Sequence, residues 1–548
     1  MIIKEAFMTR KKIDSKYIKL VALSYQDEGQ ESYRLVEFFN VNKNKDVFLL
    51  IPASIIAVPN KLKSLLLENG FKPKVIHENF NGVFNIILGD CDERIVLCNK
   101  PGFLYVDNEL YYIKNSGELL GGHNGLKIFP NPNARTFNYS CQAKGTLEQW
   151  KKKVAETAKY SPYVMLCLCS AFAGMCIYFT EIESGGKHIY GGSSSGKSTV
   201  LKSAASVFGD SSYILDWNIT EAAFEQQAES RNHGLLLTDE LILIDSNRQT
   251  AAQKMQKFVY MLGSGTGKSR SHTYQERSAS WQLVALSNGE EALSQHASSG
   301  LMSRKNGEIA RFIDVPVDCD NDMGIFSSLP EGVSSSAEYA EYLKENCNNY
   351  YGTAGDAFLQ KILTQVSKKS PEYITNKLND YITKFLEMNN VGSNGLDKRI
   401  ATRFALAYAS GILGIKTKVL PFTEKEVFDG ITHCYLKAID QNPIKKVVFN
   451  QKLLDALKNP CKPKKSLVDK DKLNNLNAIV VQIKEVQCVA VKSSFFDGNI
   501  IGNKKTVIRQ LVSEGKLLTD AQGKSTRQCK VNGVKLSRRY CLKVDVVS

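Results

Sequence analysis

The chain has 548 residues, 43% of them hydrophobic and 9% aromatic, so it can build several buried cores and is not a disordered chain. Its net charge of +15 is concentrated at one end, because residues 441–548 hold 22 Lys and Arg against 8 Asp and Glu while the other residues are nearly neutral. The basic end predicts an anionic partner, with nucleic acid favoured over a solvated basic linker.

The first 135 residues read as a small α+β domain in which no catalytic constellation can be recognised. Short alternating runs predict strands at 18–23, 34–39 and 47–51, and one amphipathic helix is expected near 60–69. The Pro- and Asn-rich stretch from Phe129 to Asn133 predicts a linker. The role of this domain stays open.

An uncharged stretch from Ser161 to Phe179 is long enough to span a bilayer. It follows a helix that Thr146 is expected to cap, and it is rich in Ala, Gly, Ser and Cys. We therefore interpret it as a buried helix rather than a membrane span. The thirteen cysteines form no Cys-x-x-Cys pair and the first residues do not resemble a signal peptide, which together favour a cytoplasmic protein and argue against zinc.

The most specific motif of the chain matches Gly-x-x-x-x-Gly-Lys-[Ser/Thr] in full. Glycines let the backbone N–H groups of such a loop face phosphates, and the following helix presents its positive end to them. Lys197 is expected to reach the β- and γ-phosphates of ATP, and the Ser198 hydroxyl to bind Mg²⁺. The predicted nucleotide contacts are Gly191, Gly192, Ser193, Ser194, Ser195, Gly196, Lys197, Ser198 and Thr199. A plain Gly/Ser-rich turn is the alternative.

Two further strand ends carry polar residues suited to nucleotide hydrolysis. Gly234–Glu240 reads as a buried strand that places Asp239 at Mg²⁺ and Glu240 where it can polarise water. The strand Trp281–Asn288 ends in a polar pair, of which Asn288 is expected to face the γ-phosphate, with Ser287 in reserve. A turn-forming Ser-Asn-Gly is the alternative for this end.

Three arginines are candidates for contacts with the γ-phosphate. Arg311, on the predicted strand 308–316, would act as an arginine finger in a neighbouring subunit, or else pair with Asp314 or lie at the surface. Arg399 or Arg403, on a predicted helix over 397–413, could close a lid over the nucleotide, although helix arginines are usually solvated.

A Gly-rich stretch, Gly263–Gln275, resembles a second phosphate-binding loop but fails the spacing, because position 262 is Leu. Its basic residues Lys268, Arg270 and His272 fit a hairpin that grips a nucleic-acid backbone, with a plain surface loop as the alternative.

The basic end predicts a compact DNA-binding unit after a Lys- and Pro-bearing linker. We expect helices over 477–484 and 503–513, followed by a hairpin at Asn532-Gly533, which together suggest a winged helix. Its candidate DNA contacts are Lys504, Lys505, Arg509, Lys524, Arg527, Lys530, Arg538 and Arg539.

From Thr146 to about Asp314 the chain resembles a family of bacterial AAA+ ATPases. Its members are the staphylococcal cassette chromosome helicases and the replication initiators of phage-inducible chromosomal islands. The resemblance rests on these segments: Thr146–Trp150, Ser170–Gly174, His188–Ser198, Leu237–Leu241, Tyr260–Arg270 and Leu286–Glu290. It implies a hexameric ring akin to minichromosome-maintenance and superfamily 3 helicases, with the 263–275 hairpin projecting into the pore. The family tends to have Ser-Ser or Ser-Thr where this chain has Ser287-Asn288, which leaves the sensor residue open.

The predicted fold class is therefore an α/β P-loop AAA+ core with an N-terminal α+β domain, a helical lid and a C-terminal winged-helix-like domain. The expected boundaries are 1–135, 140–330 for the ATPase core, 331–440 for the lid, 441–475 for the basic linker and 476–548 for the winged helix. The leading hypothesis is an ATP- and Mg²⁺-dependent DNA helicase and replication initiator of a mobile element, in the bacterial cytosol. The alternatives are a DNA-bound ATPase switch that recruits a host helicase, and an RNA-directed or defence ATPase.

Overall fold

The computed structural model describes residues 17–24, 32–122, 128–131, 134, 136–137, 143–268, 278–317, 323–392, 395–441, 448–466, 468–483, 486–501, 504–513, 515–520 and 522–543. The chain forms two compact units, residues 1–442 and residues 443–548.

The strands of the first unit are β1 (Ile18–Ser24), β2 (Tyr33–Asn40), β3 (Lys45–Pro52), β4 (Arg94–Cys98), β5 (Gly102–Val106), β6 (Glu109–Ile113), β7 (Leu119–Gly121), β8 (Ile128–Pro130), β9 (Gly185–Tyr190), β10 (Leu215–Asp216), β11 (Leu235–Asp239), β12 (Val284–Gly289) and β13 (Phe312–Pro316). Its helices are α1 (Ala53–Ile56), α2 (Pro59–Glu68), α3 (Pro73–Leu88), α4 (Leu147–Lys153), α5 (Pro162–Cys176), α6 (Lys197–Ala205), α7 (Glu221–Glu229), α8 (Arg248–Ser264), α9 (Leu293–Ser299), α10 (Asn306–Arg311), α11 (Ser336–Asn349), α12 (Thr353–Lys368), α13 (Pro371–Met388), α14 (Gly395–Lys416) and α15 (Glu424–Gln441).

The N-terminal part is a mixed sheet of order β3-β2-β1-β4-β8 with α2 and α3 packed on one face. The three predicted strands and the predicted helix are confirmed, whereas α3 was not predicted. The Phe129 linker was wrong, because Phe129 lies in β8 and pairs with Leu97 of β4.

A second, antiparallel sheet of order β5-β6-β7 is built into the central part of the unit. Phe103 and Tyr112 share a core with α5, and the Phe103 backbone N–H donates to His233 Nδ1 at 3.0 Å. Gly102 has φ +113, and a Cβ there would lie 2.6 Å from His233 Nδ1, so this close approach needs glycine.

The central sheet is parallel, with the order β10-β11-β12-β9-β13. Parallel neighbours end at one edge, so the carboxyl ends of β9, β11 and β12 lie side by side. The strand order places β12 between β11 and β9. The residues that follow these three strands therefore converge on one place.

Helix α5 packs against the central sheet, α6, α14 and α15. The stretch Pro162–Phe179 has the length and apolar composition of a membrane span, and 89% of it is buried inside the unit. A helix that is apolar on all sides is typical of a protein core, in agreement with the prediction of a buried helix. Thr146 caps α4 as predicted, by accepting from the Gln149 N–H at 3.2 Å.

The second unit contains β14 (Val448–Phe449), α16 (Gln451–Lys458), α17 (Lys470–Asn475), β15 (Ala478–Ile483), β16 (Val486–Lys492), α18 (Ser493–Asn499), β17 (Ile500–Ile501), α19 (Lys504–Ser513), β18 (Leu517–Leu518), β19 (Arg527–Val531) and β20 (Val534–Lys543). Its main sheet has the order β15-β16-β20-β18, with β19 paired to β20. The predicted helix at 477–484 was wrong, because these β-branched residues form β15 and pair with β16. The hairpin at Asn532-Gly533 is confirmed, since both residues have positive φ between β19 and β20.

Candidate active site

The glycine-rich loop, residues 191–196, connects strand β9 of the central sheet to α6. Gly196 has φ +90, and a Cβ there would lie 2.9 Å from Ile325 Cδ1. Lys197 turns back into the loop, where its Nζ donates to the carbonyls of Gly191 at 2.8 Å and Gly192 at 2.6 Å. The Lys197 side chain therefore lies inside the curl of the loop. Helix α6 begins at Lys197, directly after the loop, as the motif predicts.

A covering segment, residues 323–326, holds the loop from outside. The Ile325 N–H donates to Ser195 O at 3.0 Å, and Gly324 approaches the same carbonyl so closely that a Cβ would lie 2.6 Å from it. On the sheet side, the Gly191 N–H donates to Gly289 O at 3.3 Å. The loop is thus fixed on two sides by backbone contacts from distant parts of the chain.

The predicted carboxylates meet the predicted polar residue at the ends of β11 and β12. Asp239 ends β11, and Glu240 follows in a left-handed conformation with φ +55. The Asn288 amide joins the two sides of the site, since its Nδ2 donates to Ser198 Oγ and its Oδ1 accepts from the Glu240 N–H, both at 3.3 Å. Asn288 is only 2% exposed, whereas its partners Ser198 and Glu240 are exposed to the cavity.

The structure brings Asn288 into the site and leaves Ser287 behind it. Ser287 is fully buried, with its Oγ 2.7 Å from His188 Nδ1, while His188 Nε2 lies 3.0 Å from Glu291 O. A carbonyl only accepts, so Nε2 carries the hydrogen and Nδ1 accepts from Ser287. Burial lowers the pKa of His188 to about 4, which keeps the ring neutral in this role.

Lys197, Ser198, Asp239, Glu240 and Asn288 line a cavity of about 870 Å³. Its volume is in the range of pockets that hold small ligands, and its donors and acceptors suit phosphate groups. Ser198 and Asp239 supply the hydroxyl and carboxylate oxygens that Mg²⁺ prefers, so the donor set fits this metal. The cavity wall also contains residues that were not predicted: Asp245, Ser246, Arg248, Glu290, Glu291, His296, Ser299, Ala337, Ala340 and Glu341. Some follow directly on the predicted strand ends, as Glu290 and Glu291 do, whereas others lie on helices α9 and α11, where no local pattern marks them.

Arg311 lies at the amino-terminal end of the parallel strands, whereas the glycine-rich loop follows their carboxyl-terminal end. The predicted strand at 308–316 was wrong in its first half, because Arg311 ends α10 and β13 starts at Phe312, paired with Gly186. From there β9 runs on for four residues, roughly 13 Å, before the loop begins. The guanidinium donates to Gly307 O at 3.1 Å and lies 4.0 Å from the Glu183 carboxylate.

Asp314, the alternative partner predicted for Arg311, pairs with Arg304 instead. The two side chains are 5% and 1% exposed, and Arg304 Nη1 lies 3.1 Å from Asp314 Oδ2. The same carboxylate accepts from the N–H groups of Leu293 and Ser294 at the start of α9. This buried pair therefore fixes the helix that follows the Asn288–Glu291 turn of the cavity.

The prediction that Arg403 closes a lid over the nucleotide was wrong. Its guanidinium is half-buried and donates to three backbone carbonyls, those of Ala310, Glu183 and Ser184, at 2.7, 2.9 and 3.2 Å. These lie at the amino-terminal end of β9, so Arg403 ties α14 to the far edge of the sheet. Burial, together with the charges of Arg311 and Arg399, lowers the pKa of Arg403 to about 10. Arg399, one turn earlier on α14, is exposed.

Among the predicted DNA contacts of the first unit, Lys268 is exposed and its Nζ lies 2.6 Å from a Glu221 carboxylate oxygen. Arg270 and His272 lie outside the described residues.

In the second unit, Lys524 and Lys530 are exposed on and before β19, and Lys504 pairs with Asp497 at 2.5 Å. Lys505 and Arg509 lie on α19, and their side chains are outside the description.

Three arginines of this unit are engaged within it. Arg527 donates to Thr519 O at 3.4 Å, and Arg538 pairs with Asp520. The predicted DNA contact of Arg539 was wrong: the side chain is fully buried and donates to the carbonyls of residues 473, 474 and 476, which anchor α17 to β20.

Comparison with known proteins places these observations in context. A family model described as a domain of unknown function (DUF927) matches residues 9–279. No curated protein matches the chain. A solved structure described as "SCCmec type IV Cch - active helicase" matches with a TM-score of 0.61 and 14% identity, over 96% of this chain and 93% of that chain. The chain therefore has a helicase-like fold.

Proposed function

We propose that the chain is an ATP-dependent DNA helicase and replication initiator of a mobile genetic element, acting in the bacterial cytosol. The observation that carries this proposal is the convergence of Lys197, Ser198, Asp239, Glu240 and Asn288 on one cavity at the carboxyl edge of a parallel sheet. ATP hydrolysis needs phosphate binding, a metal position, a group that polarises water and a sensor of the γ-phosphate, and these residues supply all four.

Each side chain has a separate role in this proposal. Lys197 and the loop N–H groups bind the phosphates, and Ser198 and Asp239 hold Mg²⁺, which neutralises phosphate charge when bound. Glu240 accepts a hydrogen bond from the attacking water. Asn288, which bonds Ser198 of α6 and the Glu240 backbone after β11, is the sensor of the γ-phosphate.

We propose that the chain works as an AAA+ ring, with a hexamer as the expected size. Arg311 is compatible with this, because its guanidinium lies at the amino-terminal end of the sheet, away from its own glycine-rich loop. The Arg311 side chain is 26% exposed, so part of it is accessible to a neighbouring subunit. Arg399 lies at the same end, close enough for its charge to act on Arg403.

The second unit is proposed to be a winged helix that binds duplex DNA. Its order β16-α18-α19-β18-β20, with β20 between β16 and β18 and a hairpin at β19–β20, supports this. In such a domain α19 enters the major groove and the hairpin touches phosphates. Arg509→Ala should therefore reduce the preference for the cognate origin over random duplex, whereas Lys530→Ala should weaken both equally and flatten the salt dependence.

The nucleotide site is tested by separating ATP binding from hydrolysis. Lys197→Ala should lose both, because it removes the charge inside the loop. Glu240→Gln should bind ATP and Mg²⁺ normally and fail to turn over, since only the hydrolytic step uses the carboxylate. Calorimetric titration and phosphate release measure the two steps. Wild-type turnover in either variant would overturn the assignment.

A further inference from the structure

Helix α7 presents three glutamates on one face. Glu221, Glu225 and Glu229 are spaced four residues apart, so they follow one another along a single side of the helix. All three contact the ends of the Gly-rich loop that runs from Gly265 to Trp281.

The two described ends of this loop pair with each other. The Gly267 N–H donates to Ala279 O and the Trp281 N–H donates to Gly265 O, both at 2.8 Å, and Thr266 pairs with Ser280 in antiparallel fashion. The base is therefore hairpin-like, as predicted. Residues 269–277 lie outside the described part.

Two of the glutamates hold the backbone of this base, one on each arm. Glu225 is buried and its Oε1 accepts from the Lys268 N–H at 3.1 Å, while Glu229 Oε1 accepts from the Ser280 N–H at 3.2 Å. A Cβ at Gly267 would lie 2.9 Å from Glu225 Oε2, so this arm passes close to the carboxylate. Both arms are thus seated on α7 by contacts that do not depend on the loop's side chains.

Glu221 makes a contact of another kind, because it engages a side chain. Its carboxylate binds Lys268 Nζ at 2.6 Å and also binds Lys257 of α8. The Lys268 side chain is 56% exposed and that of Glu221 34%, so water and competing anions reach the pair. Lys257 and Lys268 lower the pKa of Glu221, and Glu221 raises the pKa of Lys268, so both groups are charged at neutral pH.

We propose that the acidic face of α7 is the positioning element of this loop: Glu225 and Glu229 seat its arms, and Glu221 holds Lys268 until a nucleic-acid phosphate displaces it. This inference rests on the proposed DNA-binding role of the loop. Exposed ion pairs are weak and screened by salt, so a phosphate backbone can replace Glu221 as the partner of Lys268. Helix α7 directly precedes β11, the strand that ends at Asp239, so the loop is seated on a neighbour in sequence of the strand that carries this carboxylate.

The exchange of partners is tested by single-strand binding of the full chain. Binding is measured by the anisotropy of a fluorescein-labelled oligothymidine. Glu221→Gln should bind it roughly two- to five-fold more tightly at low salt, because Lys268 then binds phosphate without first breaking its ion pair with Glu221. Glu424→Gln is the matched control: Glu424 also bridges two lysines, Lys384 and Lys416, at similar exposure, and its removal should change nothing. The gain should vanish in the Glu221→Gln/Lys268→Ala double variant.

Two outcomes separate this inference from the proposal on which it rests. If Lys268→Ala binds like the wild type, the loop has no DNA-binding role through this residue. If Lys268→Ala weakens binding but Glu221→Gln does not strengthen it, or the Glu424→Gln control strengthens it equally, the DNA role stands and the exchange with Glu221 is wrong.

The seating role is tested by hydrolysis. Glu229→Ala should lose most of the stimulation of ATPase by single-stranded DNA and keep basal turnover, whereas Glu229→Gln should restore stimulation because its amide oxygen still accepts from Ser280. An equal loss of basal and stimulated turnover, or no rescue by Gln, would contradict a positioning role.

Discussion

The buried pair of Arg304 and Asp314 gives the sharpest stability prediction. Arg304→Met keeps the volume of the side chain but leaves the Asp314 carboxylate, 1% exposed, without its cation. Removing one partner of such a pair costs about 3–5 kcal/mol. The N–H groups of Leu293 and Ser294 still bond the carboxylate, but the carbonyls of Glu308 and Phe312 lose the bonds that Arg304 donates, so the cost should fall within that range.

The double variant Arg304→Met/Asp314→Asn separates charge from packing. It removes both charges and keeps an amide oxygen for the start of α9, so its cost should fall to about 1–2 kcal/mol, less than that of Arg304→Met alone. This non-additivity is the signature of an uncompensated buried charge.

Urea unfolding followed by tryptophan fluorescence measures these free-energy costs for the first compact unit, residues 1–442. The three tryptophans of the protein, Trp150, Trp217 and Trp281, are all buried in the first unit. Arg304→Met should lower the midpoint by roughly 1 M. A midpoint within error of the wild type, or a double variant that loses the sum of the single losses, would refute the reasoning.

Three further predictions concern the nucleotide site. Asn288→Ala should bind ATP within about three-fold of the wild type yet lose roughly 100-fold in turnover, because in the proposed mechanism its amide senses the γ-phosphate only during hydrolysis; an unchanged kcat in a phosphate-release assay would remove it from the mechanism. Gly196→Ala should cost about 1–2 kcal/mol and weaken ATP binding in a calorimetric titration, because φ is +90 and the new Cβ meets Ile325; normal affinity would show that the loop relaxes. Arg311→Ala should bind ATP but not hydrolyse it, and mixing it with Lys197→Ala protein should restore some turnover; no rescue in proven mixed oligomers would exclude a trans role.

The places of the glycine-rich loop and of Asp239-Glu240 in the fold could be predicted from the sequence because each motif is contiguous in the chain. Glycines, Lys197 and Ser198 are spaced by the chemistry itself, and Asp239-Glu240 directly follow an apolar strand. Parallel strands then bring such ends together whatever the rest of the fold does. Asn288 followed from the same rule.

Errors arose where a short apolar run fits both helix and strand. Residues 477–484 were assigned to a helix and form β15, while the segment before Phe312 was assigned to a strand and forms α10. Whether such a segment forms a helix or a strand depends on the strands available to pair with it, and those strands can lie far away in the sequence. The sequence also did not show which arginines bond to the backbone. Arg403 was predicted to contact a nucleotide and Arg539 to contact DNA, yet both donate to backbone carbonyls of the chain itself.

Strand displacement on forked DNA tests the central claim most directly. The full chain should release the displaced strand only with ATP and Mg²⁺, and Glu240→Gln should bind the fork without releasing the strand. DNA-stimulated ATP hydrolysis with no displacement on forks of either polarity would contradict a helicase and leave an ATPase switch that recruits another motor.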